Sequence, residues 1–373
     1  MATQNVLVVG AGAAGAATAI LLAEGGLNVD LVDVEPNVST RGSGVTLQGN
    51  ALRVLRRLGV WERARGEGFA FDTLGLRAPD GTLLAEFDDV RTGGPELPAT
   101  LGMHRPTLAR ILVERAAEVG ATVRFGTTCA VLAQDGDGVD VTFADGTTGR
   151  YDLVVGADGV RSRTRHQLGI QLETRRTGMG IWRAFTPRPP SVTRTDLYYH
   201  GPCYIAGYCP TGEDSLYAYL VEDVRDRGTL SPDEALKAMR ELAEAYHGPW
   251  DDVRDNLTDS SAINYTWFEA HVLDAPWNRG RVVLIGDAAH TCPPTLAQGA
   301  AQALEDAAVL AELVLAAGDV SGELWAEFTE RRFARARTVV EASVQLGQWL
   351  LDHEEGDVPG LLGRISQMVS EPA

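Results

Sequence analysis

The segment 6–15 constrains the fold of this chain more than any other, because it places a short apolar run, a glycine turn and a helix start side by side. The apolar residues at its beginning predict a buried strand. Gly10 then permits a tight turn, Gly12 lets the backbone approach a pyrophosphate, and Gly15 allows the new helix to lie close to the strand. The segment therefore predicts the phosphate-binding turn of a dinucleotide-binding fold.

The residues that follow supply the other parts of such a unit. A helix over 13–24, whose first turn contains Ala14, presents its N–H groups and the positive end of its dipole to the phosphates. A second strand over 28–32 ends in Asp33, where an acid is expected to bind the ribose hydroxyls. Glu35 is the competing acid, but it lies beyond the apolar strand. The alternative is a chance glycine pattern in a chain with 41 glycines, which leaves the strand, helix and acid unexplained.

Composition bounds the class of protein. A chain of 373 residues that is 45% hydrophobic can bury a large core and suits one large or two interlocked domains. Its 33 basic and 51 acidic residues give a formal net charge of −18, which disfavours nucleic acid as a partner. No basic segment precedes the first apolar run, and no uncharged apolar stretch reaches about 18 residues. We therefore expect neither a signal peptide nor a membrane span.

The cysteines indicate the compartment. Their positions show neither CxxC spacing nor a clustered histidine partner; they are Cys129, Cys203, Cys209 and Cys292. They favour ordinary packing in a reducing cytoplasm, and no metal site is predicted.

Two further apolar strands end beside a glycine and an acid. The strand at 152–155 leads to Asp158 and Gly159, followed by a run of arginines. Such a carboxylate can reach a cofactor where the backbone is close, or it belongs to a loop with a solvated charge cluster. The strand at 281–285 leads to Gly286-Asp287, a proline-rich loop and a helix over 298–316, whose N-terminus can stabilise negative charge. His290, just after this second acid, is expected to be structural.

Other segments predict a mainly β region. Residues 70–90 form a hairpin with its turn at Asp80-Gly81. Residues 174–230 alternate aromatic and β-branched residues with polar ones, which predicts a second sheet with one face on a ligand. A capping box of Ser231 and Glu234 starts a helix over 232–246, and a long helix over 324–351 ends the ordered part.

These three strand ends, taken together and in this order, resemble the single-component FAD-dependent aromatic hydroxylases, the family built like 4-hydroxybenzoate hydroxylase, over about residues 4–350. Residues 10–15 with Asp33 match the family's ADP-binding fingerprint. Residues 158–159 match its DG motif, which is linked to FAD and NAD(P)H binding. Residues 286–287 match its GD motif, whose Asp binds the ribityl chain of FAD.

The resemblance assigns further residues to the FAD site. Arg105 matches an arginine that contacts FAD, and Arg41 and Gln48 lie in or beside the glycine-rich loop 41–47 after the first βαβ unit. Arg41 either meets a phosphate or an anionic ring, or belongs to a plain surface loop. The expected cofactor-binding residues are Gly10, Gly12, Ala14, Gly15, Asp33, Arg41, Gln48, Arg105, Asp158, Gly286, Asp287, Pro294, Ala297, Gln298 and Gly299.

One position departs from the family pattern. Pro294 matches the proline beside the flavin ring, and the helix that follows starts where the family has Gly-Gln-Gly. This chain has Ala297, Gln298 and Gly299 there. The Cβ of Ala297 would crowd the flavin or alter how it swings.

The resemblance implies an α/β fold: a Rossmann-like FAD-binding domain, an interleaved β-sheet substrate domain and a long C-terminal helix. The FAD-binding domain would be discontinuous, formed by 1–70, 100–173 and 275–351. The sheet domain would take 71–99 and 174–274, and 352–373 would form a loosely ordered tail.

The family mechanism implies that NAD(P)H reduces FAD and that O₂ adds to the reduced flavin, giving a C4a-hydroperoxide that hydroxylates a small aromatic or heteroaromatic ring. The protein orients the reactants and excludes water. The expected partners are this aromatic substrate, O₂ and NADH or NADPH, with no nucleic acid or membrane, in a monomer or homodimer.

The aromatic sheet supplies the candidates for catalysis. Arg183 is a charge inside an apolar strand, so it either meets substrate or flavin or forms a structural ion pair. The aromatic residues either line the pocket or belong to the core and its rim. The candidate catalytic residues are Arg183, His200, Tyr217 and Pro294, with Tyr199 and Tyr204 as further lining residues.

Three other functions compete. A different FAD-dependent oxidoreductase of the halogenase type is disfavoured because its Trp-x-Trp-x-x-Ile-Pro motif is absent from the sequence. A nicotinamide dehydrogenase would use only the first Rossmann unit and leave the later Gly and Asp elements unexplained. A non-catalytic flavin-binding protein would bind FAD without turnover.

Overall fold

The computed structural model describes residues 3–40 and 42–373. The predicted FAD residue Arg41 lies outside this part of the chain. The strands, in chain order, are β1 Asn5–Val9, β2 Asn28–Asp33, β3 Gly44–Gln48, β4 Phe69–Phe71, β5 Thr73–Arg77, β6 Leu83–Asp88, β7 Thr100–His104, β8 Thr122–Phe125, β9 Cys129–Gln134, β10 Val139–Phe143, β11 Thr148–Tyr151, β12 Leu153–Gly156, β13 Arg175–Pro187, β14 Thr195–Tyr198, β15 Ile205–Pro210, β16 Ser215–Asp223, β17 Ile263–Val272, β18 Asn278–Arg279, β19 Val282–Leu284 and β20 His290–Thr291.

The helices are α1 Ala13–Glu24, α2 Gly49–Arg57, α3 Trp61–Glu67, α4 Arg105–Glu118, α5 Arg163–Gln167, α6 Pro232–Ala243, α7 Pro249–Asn256, α8 Gly299–Ala317, α9 Gly322–Leu351 and α10 Val358–Ser370, with 3₁₀ turns at Ser260–Ala262, Gly286–Ala288 and Pro294–Leu296. The predicted α/β class and the long C-terminal helix, α9, are confirmed.

A six-stranded sheet forms the nucleotide-binding half, in the order β18-β19-β12-β1-β2-β8. All its neighbours are parallel except β18 with β19. Its central strands are buried on both faces, which explains their uninterrupted apolar runs. Because parallel strands share one carboxyl edge, β1, β2, β12 and β19 bring the glycine turn, Asp33, Asp158 and Asp287 to the same edge.

An eight-stranded sheet, in the order β20-β17-β13-β16-β15-β14-β5-β6, forms the other half. Helices α6 and α7 cover one of its faces and pack on an aromatic cluster that includes Trp182 and Tyr208. Since side chains alternate along a strand, Arg183 and Tyr217 lie on the opposite face. That face meets the small sheet β3-β7-β4, so closely that a Cβ on Gly44 would lie 2.4 Å from the Cβ of Tyr217.

Several local predictions are confirmed. The hairpin of β5 and β6 turns at Asp80-Gly81, where Gly81 has a φ of +89°. Ser231 and Glu234 form a capping box at the start of α6.

Other predictions are wrong. The loop expected at 41–47 is largely strand β3, which pairs with the unpredicted strand β7. The tail expected at 352–373 contains helix α10, whose Leu361, Ile365 and Val369 are buried against α9 and Leu296. The spacing of four residues between these apolar side chains forms one face of a helix.

Candidate active site

The glycine turn after β1 leaves room for a ligand at one position only among its three glycines. A Cβ on Gly10, whose φ is +104°, would lie 2.4 Å from the carbonyl oxygen of Ala157. A Cβ on Gly15 would lie 1.8 Å from the carbonyl oxygen of Gly10. Packing of the protein itself therefore requires these two glycines. A Cβ on Gly12 would meet nothing within 4 Å, so this position borders open space at the N-terminus of α1. The turn fits an anionic pyrophosphate.

Asp33 lies beside this turn, as predicted for a ribose-binding acid. Its Oδ2 accepts a hydrogen bond from the backbone N–H of Ala11 at 2.7 Å, and its Oδ1 accepts one from that of Glu35 at 2.8 Å. The two bonds fix the carboxylate at the end of β2 next to the glycine turn. Ala14 has a different setting: it is buried, and a Cβ on Gly286 would lie 3.1 Å from its Cβ.

The turn after β19 carries Asp287 at the carboxyl edge of the six-stranded sheet. We call the open space at this edge, bordered by Gly12, Asp287 and Arg105, the cleft. Gly286 has a φ of +58°, and its N–H donates to Oδ2 of Asp306 at 2.8 Å. Nε2 of His271 donates to the carbonyl oxygen of Asp287 at 3.0 Å, and the guanidinium of Arg165 donates to that of Ala288 at 2.8 Å. These three hydrogen bonds hold the backbone of the turn, while the Asp287 side chain is exposed.

The walls of the cleft act on the Asp287 carboxylate. Desolvation by the surrounding protein raises its pKa, while the charges of His290 and Arg105 act to lower it. Arg105 begins α4, is exposed, and makes no side-chain hydrogen bond or ion pair within the described residues. This free guanidinium, near Gly42, is available to a ligand anion.

The Asp158 carboxylate forms hydrogen bonds within its own loop. Its carboxylate accepts hydrogen bonds from the hydroxyl of Ser162 and from the N–H and hydroxyl of Thr164, the last two at 2.9 and 3.0 Å. Asp158 therefore shapes the loop between β12 and α5. Its predicted contact with the cofactor stays a prediction.

The wall expected beside the flavin ring runs from Pro294 to Gly299. Pro294 is exposed at the start of a 3₁₀ turn, and Ala297 has φ +52° and ψ +29°, in the left-handed region. Gln298 is the N-cap of α8 and is buried, with its Nε2 donating to Oε1 of Gln48. The side chains of Gln298 and Gln48 are therefore joined to each other, and Gly299 opens the helix.

Arg183 and Tyr217 are brought together on the sheet face. Nε of Arg183 donates to the Tyr217 hydroxyl at 3.1 Å, and Nη1 donates to the hydroxyl of Thr266. In the described part of the chain Arg183 has no carboxylate partner, so it is not the structural ion pair that was the alternative. Burial raises the pKa of Tyr217, against the lowering effect of Arg183, and keeps the phenol protonated.

The structure does not bring His200 to this pair. His200 is exposed just beyond β14, which is separated from β13 by β15 and β16. Tyr204 donates to Asp223 at 2.6 Å on the sheet rim. Burial raises the pKa of Tyr199 and of Tyr219.

Sequence reasoning missed several groups that shape the site. Thr266, Asp306 and His271 carried no local signal, because their partners lie far away along the chain. A stacked pair, His104 and Phe185, joins β7 to β13 with ring centroids 4.0 Å apart.

A cavity of about 530 Å³ lies along β17 and the start of α6. Its lining includes Trp182, Tyr265, Trp267 and Arg161, and none of the predicted cofactor residues. The candidate site therefore rests on the geometry of the cleft residues.

Comparison with known proteins points to the same chemistry. Residues 3–343 match the family model described as FAD binding domain. The 6-hydroxynicotinate 3-monooxygenase of Pseudomonas fluorescens is 31% identical over 366 residues, 95% of this chain and 93% of that protein. The 2-heptyl-3-hydroxy-4(1H)-quinolone synthase of Pseudomonas aeruginosa is 31% identical over 355 residues, 93% of this chain and 90% of that protein. The solved structure of 2-methyl-3-hydroxypyridine-5-carboxylic acid oxygenase has a TM-score of 0.78 and 26% identity, covering 95% of this chain and 94% of that one.

The chain belongs to the family of FAD-dependent aromatic hydroxylases with this FAD binding domain. It is an FAD-dependent monooxygenase, and the resemblance drawn from its three strand ends is confirmed. No helix in the described part of the chain is both long and apolar enough to cross a membrane.

Proposed function

We propose that this monooxygenase uses NAD(P)H and O₂ to hydroxylate a nitrogen-containing aromatic ring that carries an ionisable hydroxyl or oxo group. One observation carries the proposal: the Arg183–Tyr217 pair has a guanidinium with no acidic partner in the described residues, beside a protonated phenol. Three similar proteins are named for hydroxynicotinate, hydroxyquinolone and hydroxypyridine compounds, which supports the ring type.

The chain's own groups suit FAD. The first-turn N–H groups of α1 and the open position at Gly12 suit its pyrophosphate, and Asp33 suits the adenosine ribose. The exposed carboxylate of Asp287 suits the ribityl hydroxyls, with Arg105 as a nearby cation. When bound, FAD supplies the redox chemistry between NAD(P)H, O₂ and the ring.

Arg183 and Tyr217 orient the substrate and increase its reactivity. Because Arg183 donates to the oxygen of Tyr217, the phenolic proton of Tyr217 is left to donate to a ring oxygen. The remaining N–H groups of Arg183 stabilise negative charge on that oxygen. A ring with an ionised hydroxyl is richer in electrons and accepts an electrophilic oxygen atom more readily.

Anaerobic reduction of the bound flavin by NADH and by NADPH tests the proposal. The bleaching rate is measured alone and with 6-hydroxynicotinate, a 4-quinolone, 3-hydroxypyridine carboxylates, the carbocyclic phenol 4-hydroxybenzoate, and benzoate as the control that lacks both nitrogen and hydroxyl. We expect one hydroxylated heteroaromatic to accelerate bleaching many-fold and to yield a hydroxylated product in air. Acceleration by a carbocyclic phenol alone would show that the substrate is a carbocyclic and not a heteroaromatic compound. Bleaching without any hydroxylated product would indicate a different FAD-dependent oxidoreductase.

We also propose a cytoplasmic location and a monomeric or homodimeric state. The location is supported by the free thiols of Cys129, Cys203, Cys209 and Cys292. Fractionation of the native host and light scattering of the purified holoenzyme test these two statements.

A further inference from the structure

A buried cluster of charges lies behind the turn that carries Asp287. Asp306 and Glu305 are neighbours on α8, and Arg332 of α9 bonds to both of them. Nε of Arg332 donates to Oδ1 of Asp306 at 2.7 Å, and its Nη1 donates to Oε2 of Glu305 at 3.0 Å. The exposed fractions of Asp306, Arg332 and Glu305 are 0%, 0% and 2%. Because burying such charges is costly and a buried ion pair adds little net stability, the cluster calls for another role.

One oxygen atom of Asp306 ties both ends of the turn. Oδ2 accepts a hydrogen bond from the N–H of Gly286 at 2.8 Å and one from Nε2 of His290 at 2.7 Å. Between these two ends lies Asp287, whose exposed side chain faces the cleft. The other oxygen of Asp306 is held by Arg332. Burial acts to raise the pKa of Asp306, but the charges of His290 and Arg332 overcome it and hold that pKa at about 2.

We propose that Asp306 is a positioning residue for the cofactor: by tying Gly286 to His290 it holds the turn in the shape that presents the Asp287 carboxylate to FAD. Asp306 does not itself line the cleft, since it is fully buried. The inference rests on the proposed contact between Asp287 and FAD. It adds that the affinity for FAD depends on a carboxylate that the cofactor never touches.

Glu305 offers a matched control. It is the adjacent residue, is equally buried, and shares Arg332 as a partner. Its remaining hydrogen bonds go to Arg335 and to the side-chain amide of Asn50, Arg53 forms an ion pair with it at 4.0 Å, and no bond goes to the turn 286–290. Replacing either acid by its amide removes one buried negative charge facing Arg332, but only Asp306→Asn weakens the tie across the turn.

The test compares Asp306→Asn with Glu305→Gln in two measurements on the full chain. The dissociation constant for FAD is measured by titrating apoprotein with FAD, and the stability of each apoprotein by its urea midpoint. We expect Asp306→Asn to raise the dissociation constant about ten- to a hundred-fold, since the bonds from Gly286 and His290 lose their charged acceptor. Glu305→Gln should leave it within about three-fold, although both variants lose stability.

Hydrogen exchange in the apoproteins gives a readout without cofactor. The amides of 286–291 should exchange faster in Asp306→Asn than in Glu305→Gln at matched stability. If Asp306→Asn does not fold, His290→Phe keeps a ring in place but removes the N–H donor at the far end of the tie, and should raise the dissociation constant several-fold. Equal losses of FAD affinity in Asp306→Asn and Glu305→Gln, at equal stability, would overturn the positioning role.

Asp287→Ala separates this inference from its premise. If Asp287→Ala binds FAD as the wild type does, the contact between Asp287 and FAD is wrong. If Asp287→Ala loses affinity while Asp306→Asn and His290→Phe keep it, the contact stands and the positioning role is wrong.

Discussion

Ala297 has a backbone conformation that favours glycine. Its φ of +52° and ψ of +29° lie in the left-handed region, between the 3₁₀ turn Pro294–Leu296 and the start of α8. A Cβ in this region costs about 1–2 kcal/mol. The chain therefore carries strain at the position where the family resemblance implies the first glycine of Gly-Gln-Gly, on the wall expected beside the flavin.

Ala297→Gly should relieve that strain. We expect the free energy of unfolding to rise by about 0.5–1 kcal/mol, because the relief exceeds the greater backbone entropy of glycine. Urea denaturation of the apoprotein measures it. Ala316→Gly, at an exposed position within α8, is the control and should destabilise by about 0.5–1 kcal/mol. A loss of stability in both variants would show that Ala297 is unstrained.

In the proposed function, Arg183 is the residue on which substrate recognition depends. Arg183→Ala should raise the substrate KM about ten- to a hundred-fold, or uncouple NAD(P)H oxidation from product, because a charge-assisted contact is removed. Arg175→Ala is the control: Arg175 is an exposed cation on the same strand, β13. Steady-state kinetics with product analysis measure both. Unchanged KM and coupling in Arg183→Ala would remove Arg183 from the substrate site.

At the scale of elements, the sequence predicts the parts whose signals are local. Each of the strands that precede Gly10, Asp158 and Asp287 is recognisable in the sequence as an apolar run before a glycine. The parallel order of these strands then places their ends together. Strand β3 has no comparable apolar run, and its pairing with β7 joins residues far apart in the chain. Gly42 and Gly44, just before and at the start of this strand, suggest a loop. Asp306 was missed for the same reason: it looks like any helical acid until α9 and the Gly286 turn surround it.

Helix α10 supports, from outside, the turn that is expected to lie beside the flavin. Its apolar face packs on α9 and on Leu296 in the turn that begins at Pro294. Ile365→Ala should cost about 2–5 kcal/mol, since Ile365 is 6% exposed. Leu362→Ala, on the same helix at 42% exposure, should change the free energy of unfolding by less than about 0.5 kcal/mol. Urea denaturation compares them, and equal effects would mean that α10 does not dock in solution.

At the scale of the whole molecule, the turn that carries Asp287 joins the two sheets. It follows β19 of the six-stranded sheet, and His271 of β17, in the eight-stranded sheet, donates to its backbone. Nε2 of His271 is therefore the protonated nitrogen, and Nδ1 accepts from the hydroxyl of Thr174 at 2.8 Å. Burial, aided by the charge of Arg165, lowers the pKa of His271 to about 4.

This depressed pKa predicts acid sensitivity. The unfolded chain takes up the His271 proton near pH 6.5 and the folded protein near pH 4, so stability present above about pH 6.5 is lost as the pH falls toward 4. Between pH 7 and pH 5 the loss from this group is about 2 kcal/mol. His271→Gln keeps an N–H donor without a titratable group, and its urea midpoint should change less over the same range. If the urea midpoints of the wild type and His271→Gln fell in parallel with pH, His271 would be excluded as the source of the acid sensitivity.

The turn after β19 is held by Arg165 from α5, His271 from β17 and Asp306 from α8. A ribosome that has synthesised only the first βαβ unit has made the pyrophosphate site and none of these supports. We therefore expect a nascent chain to retain FAD only after α8 has emerged and docked. Acquisition of the yellow colour then marks a late stage of biogenesis, and a truncated translation product stays colourless however well its first glycine turn has formed.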